Sequence, residues 1–104
     1  MLRRKWRSVV SGRPGLTFRS SVDALDARLR AARGDTEGAV AAAERAADDA
    51  RGLGALAYAL EHELLLAELG DQSRLEATRA DAERLGFAHI AARADAISRR
   101  PQAR

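Results

Sequence analysis

An all-α fold of about five helices, stacked as antiparallel pairs, is predicted by three features of the 104-residue sequence. Apolar residues recur at three- and four-residue steps in successive blocks, the spacing of one helix face. Glycine turns separate the blocks: Gly34-Asp35 and Gly70-Asp71 stand 36 residues apart, and Leu53-Gly54 and Leu85-Gly86 mark the ends of the intervening helices. Alanine occurs 24 times against four aromatic residues, Trp6, Phe18, Tyr58 and Phe87. That balance favours closely approaching helices with thin interfaces over a β-rich fold, because Ala is the best helix former and lets backbones come near.

Gly12, Pro14 and Gly15 break any helix begun near Leu2, so residues 1–20 are expected to form a flexible basic arm, 21–99 the helical domain and 100–104 a frayed tail. The first helix starts at Ser20 or Ser21 as N-cap and carries Val22, Leu25, Leu29 and Ala32 as its apolar stripe. Asp35 caps the second, with Ala39, Val40, Ala43, Ala46, Ala47 and Ala50 on one face and Glu44, Arg45, Asp48 and Asp49 outward. The third, about 55–69, has a stripe of Leu53, Leu56, Leu60, Leu64 and Ala67, widened by Leu65, Leu66 and Leu69. A helix so apolar belongs between neighbours. Ser73-Arg74-Leu75-Glu76 has capping-box spacing and opens the fourth, whose buried side is Leu75, Thr78, Ala82 and Leu85. The fifth presents Phe87, Ile90, Ala91, Ala94 and Ile97 and runs out at Arg99-Arg100-Pro101.

The net charge of +3 hides an asymmetry: residues 1–20 hold six basic and no acidic groups, residues 21–104 twelve basic and fifteen acidic. The arm, with Arg3, Arg4, Lys5 and Arg7 around Trp6, could contact nucleic acid through phosphates and indole stacking, or lie on an anionic membrane surface. The plainer reading is a solvated leader that binds nothing in particular. An acid-free, Arg- and Ser-bearing start also has the composition of a transit peptide, and it lacks the apolar run of a secretory signal. No cysteine is present, which excludes disulfides and thiolate chemistry and suits a cytoplasmic location. No apolar run approaches the ~18 residues of a membrane span.

The repeated unit of helix, Gly-Asp turn and helix resembles the tetratricopeptide repeat family over residues 21–86, with 87–99 similar to the helix that shields a last repeat. Gly34-Asp35-Thr36-Glu37-Gly38-Ala39-Val40 carries the likeness best. The repeats are degenerate: the first helices lack the family's Trp, Leu-Gly and Tyr positions, Leu75 stands where Ala39 does, and no Pro closes either repeat. Arg84-Leu85-Gly86-Phe87-Ala88 and Ala91-Ala92-Arg93-Ala94 are similar to the C-terminal repeats of large bacterial signal-responsive transcriptional regulators and cyclases. The resemblance implies a short solenoid that binds a protein or peptide partner, as a piece or remnant of such a regulator.

Catalytic signals are weak. His62-Glu63 begins a zinc-protease helix, but Leu66 occupies the second histidine position. Gly52-Leu53-Gly54-Ala55-Leu56-Ala57 has the letters of a dinucleotide fingerprint without the preceding strand, and reads as a helix-to-helix turn. Asp48-Asp49 with Asp81 or Glu83 reads as solvated carboxylates, and His89 as a partly buried, hydrogen-bonded histidine. No enzyme activity, metal or cofactor is expected. The partner face is expected on the first and third helices, with Arg28, Arg30, Glu61, His62 and Glu63 as contacts on an exposed charged surface. Leu65, Leu66 and Leu69 are expected to leave an apolar patch that self-association or a larger partner covers.

Overall fold

The computed structural model describes residues 19–100. Within them the chain is all-helical: α1 over 19–32, α2 Thr36–Gly52, α3 Leu56–Glu68, α4 Leu75–Leu85 and α5 Ala88–Ser98. The N-terminal arm expected over 1–20 lies outside the described residues except at Arg19 and Ser20, which are already helical. Ser20 is therefore not an N-cap. Its buried hydroxyl donates instead to the Ala46 carbonyl of α2 at 2.8 Å.

One turn ends each of the first four helices. Gly34, Gly54, Gly70 and Gly86 all have positive φ, between 74° and 111°. In each case the residue after the glycine donates its N–H to a carbonyl five residues back: Asp35 to Arg30, Ala55 to Ala50, Asp71 to Leu66 and Phe87 to Ala82, at 2.8–3.0 Å. The glycine N–H reaches the carbonyl three residues back. This is the Schellman arrangement, which satisfies the orphan carbonyls of a helix end and requires a left-handed residue. The reversals fold successive helices back on one another.

Asp35 caps α2 as expected, accepting from the Gly38 N–H at 3.0 Å. The capping box at α4 does not form. The Ser73 hydroxyl and N–H both donate to Asp71 Oδ1, so Arg74 takes the cap position and Glu76 pairs with Arg79 instead.

α3 lies between two cores. Leu60, Leu64 and Ala67 pack with Leu75 and Ala82 of α4 and with Ile90, Ala91, Ala94 and Ile97 of α5, with Phe87 against them. Leu65 and Leu66 pack with Ala42, Ala43, Ala46 and Ala47 of α2 and Ala24 and Ala27 of α1. The apolar patch expected at Leu65, Leu66 and Leu69 is thus absent: Leu65 and Leu66 are buried and Leu69 packs on the same cluster.

The orientation of α1 overturns its sequence reading. Ser20, Ala24 and Ala27 are buried, while Val22, Leu25 and Leu29 are 45%, 56% and 48% exposed. The two sets lie on opposite sides of the helix, given 3.6 residues per turn. Small side chains face α2 because its opposing row is also alanine: Ala42, Ala43, Ala46 and Ala47 are fully buried. Only small-on-small contact lets the backbones come close enough for the Ser20 bond to Ala46. Leucines at that contact would hold the helices apart.

Candidate docking surface

The charged residues between α2, α3 and α4 form a strut. Glu63, with 2% of its side chain exposed, receives two parallel bonds from Arg51, Nε to Oε2 at 2.7 Å and Nη2 to Oε1 at 3.0 Å. The Thr78 hydroxyl lies 2.8 Å from both Glu63 Oε1 and the Arg74 carbonyl, and its single proton serves one at a time. Arg51 also reaches Asp81 at 3.1 Å, and Arg74 joins Asp48 at 2.9 Å and approaches Glu63 at 3.6 Å. The bond to Glu63, chiefly, raises the Arg51 pKa above the ordinary guanidinium value. Hydrogen bonds from Arg84 and Arg51 hold the Asp81 carboxyl below its usual range. A carboxylate enclosed by these donors has no free face for acid–base work; it fastens three helices.

The five expected contact residues are separated by this packing. Glu63 is taken into the strut and is unavailable at the surface. Arg30 is spent at the α1–α2 turn, bonding Asp26 and Asp35 at 3.1 Å each. Glu61, half-buried, pairs with Arg93 of α5 at 2.7 Å and lies 3.9 Å from His89, which is exposed rather than partly buried. His62 is buried beside Tyr58, and its Nε2 has no hydrogen-bond partner. Burial, above all, lowers its pKa; Glu61, Asp23 and Glu63 oppose that shift and Arg28 adds to it. The expected exposed charged face at Glu61, His62 and Glu63 is thus corrected: His62 and Glu63 turn inward, Glu63 because Arg51 and Thr78 on other helices meet it. Of the five, Arg28 is exposed and carries no ion pair among the described residues. Arg3, Arg4, Lys5, Trp6 and Arg7 lie outside the described residues.

The Gly52–Ala57 segment is the expected helix-to-helix turn, with α2 running into it and Gly54 at φ 74°. Among the described residues no group of three or more His, Cys, Asp or Glu could hold a metal ion. No described helix is long and apolar enough to cross a membrane. An open groove of about 390 Å³ between α4 and α5 is lined by Ala82, Gly86, Ala88, Ala91 and Ala92 with Glu83 and Asp95 at its edge. A second cleft of about 260 Å³ runs beside Arg19, Asp48, Asp49, Gly52 and Leu53.

What stands out is the outer side of α1. Val22, Leu25 and Leu29 form a two-turn apolar stripe in solvent. Arg19 lies three residues before Val22, Arg28 three after Leu25 and Arg33 four after Leu29, spacings that put each on the border of the stripe. All three are exposed and carry no ion pair among the described residues. Asp26, which also borders it, is neutralised by Arg30. The periodicity of these leucines was visible in the sequence; that they face away from the core was not. Comparisons with protein-family models, curated proteins and solved structures find no match to this chain.

Proposed function

We propose that this chain is a non-catalytic, tetratricopeptide-like protein-interaction module that docks partners on α1. The observation that carries the reading is the two-sided apolar character of α1, with small residues spent on α2 and α3 and Val22, Leu25 and Leu29 left outside. Burying a Val or Leu side chain contributes about 1.5–3 kcal/mol relative to full exposure, so three half-exposed ones in a row are a reserve of binding energy the fold itself does not use. Single exposed leucines are ordinary; a contiguous stripe on one helix face is the mark of an interaction site. The likeness to degenerate repeats in bacterial regulators supports a role as an adaptor within a larger assembly.

Site-specific photo-crosslinking tests this. A photoreactive side chain at Leu25 should give a discrete adduct in cells, lost when Leu29→Ser is added. The same group at Ala96, exposed on α5, should give none. Equal labelling at both positions, or no adduct at Leu25, would sink the reading.

A further inference from the structure

We infer that the occupant of the α1 stripe is an amphipathic helix with acidic residues flanking its apolar face. The inference rests on the docking role proposed above and names its partner.

The shape of the site argues for a helix. Val22, Leu25 and Leu29 are spaced as a ridge of about two turns, roughly 10 Å at 1.5 Å per residue, on a helix whose other side is already packed. A ridge of this kind fits the groove of another helix. Its length places the contact among small, rapidly reversible interfaces.

Charge chooses among the possible occupants. The groups bordering the ridge without an ion pair among the described residues are Arg28 and Arg33; Arg19 lines the cleft that also holds Asp48 and Asp49, Asp26 is held by Arg30, and Asp23 is half-buried. A second copy in the same contact would set these guanidinium groups against their own equivalents. Residues 1–18 carry Arg3, Arg4, Lys5, Arg7 and Arg13 and no acid, so they too bring like charge to the border. A partner helix with Glu or Asp beside its apolar stripe meets Arg28 and Arg33 with opposite charge. Such complementarity raises the association rate and suppresses wrong partners more than it adds affinity.

The experiment uses the full chain and two synthetic helices with the same leucine stripe, one flanked by Glu and one by Lys, each followed by fluorescence anisotropy. The Glu helix should bind at least about tenfold tighter than the Lys helix at low ionic strength, with the preference fading toward 0.5 M salt, where the screening length falls to about 4–5 Å. Leu25→Ser with Leu29→Ser should abolish binding of both helices, and Arg28→Glu with Arg33→Glu should reverse the preference. Circular dichroism should show all variants folded, since none of these residues is buried. Equal binding of the two helices, or a preference for Lys, overturns the acidic partner while leaving a docking helix in place. Binding of neither helix also overturns it, and the crosslink at Leu25 then decides the docking role separately. Dimerisation of the free chain that Leu25→Ser abolishes assigns the stripe to a second copy. A blue-shifted Trp6 emission that reddens with Leu25→Ser assigns it to residues 1–18.

Discussion

Removing Arg51 should cost this protein far more than removing Glu63, although the two form one pair. Arg51→Ala leaves the Glu63 carboxylate, 2% exposed, with only the shared Thr78 proton and Arg74 at 3.6 Å. Breaking a buried pair at one end costs about 3–5 kcal/mol, and because Arg51 is itself 37% exposed, water can partly replace it, which sets the expectation at about 2–3 kcal/mol. Glu63→Leu removes the buried charge along with its partner's need. Arg51 then keeps Asp81 at 3.1 Å and solvent, and the Thr78 hydroxyl keeps the Arg74 carbonyl. Its cost should be about 1 kcal/mol or less. The double variant should behave as Glu63→Leu alone, a coupling of about 2 kcal/mol between residues on different helices. Urea unfolding followed by far-ultraviolet circular dichroism at pH 7 measures this, the Arg51→Ala midpoint falling by roughly 1–2 M at a slope of about 1–3 kcal/mol per molar. Arg84→Ala, which breaks only an exposed contact to Asp81, is the control, expected within about 1 kcal/mol of the parent. If Arg51→Ala costs no more than Arg84→Ala, or if adding Glu63→Leu restores nothing, the strut is not what holds α2, α3 and α4 together.

Three further outcomes follow from the packing. His62 is held neutral by burial, so its pKa lies below the unfolded value of about 6.5; the folded state then binds fewer protons, and the stability it contributes is full above about pH 6.5 and lost as pH falls through that value. His62→Leu should remove the fall in the urea midpoint that begins as pH drops below about 6.5, leaving the acid loss below about pH 4 to Asp35, Asp71, Glu76 and Asp81, whose carboxyls sit below their usual range. Ala27→Leu should cost about 1–3 kcal/mol by forcing α1 off α2, whereas Leu25→Ser, two residues away, should change stability by less than about 0.5 kcal/mol; the reverse order in thermal melts would mean α1 is turned the other way. Gly38→Ala, which inside a helix ordinarily gains about 0.5–1 kcal/mol, should gain nothing, because the added methyl meets the Asp35 carboxylate and Arg30; in an Asp35→Ala background the gain should reappear.

The five helices and the turns between them were legible in the chain alone, because those are local events. A glycine able to take positive φ, followed by a residue whose N–H reaches five back, ends a helix wherever it occurs, and Gly34, Gly54, Gly70 and Gly86 each do so. Periodicity likewise marked α3 as a helix packed on two sides, since its apolar residues cover more than one face. Tertiary structure decided which face of α1 is inside and which charges are buried. Hydrophobicity pointed to Val22, Leu25 and Leu29, but interhelical distance prevailed, because an alanine-lined α2 admits only small side chains at close range. Glu63 looked solvated because its partners, Arg51 and Thr78, are 12 and 15 residues away in the chain. A carboxylate goes inside only where a guanidinium and a hydroxyl meet it, and no spacing along a single helix reports such a meeting.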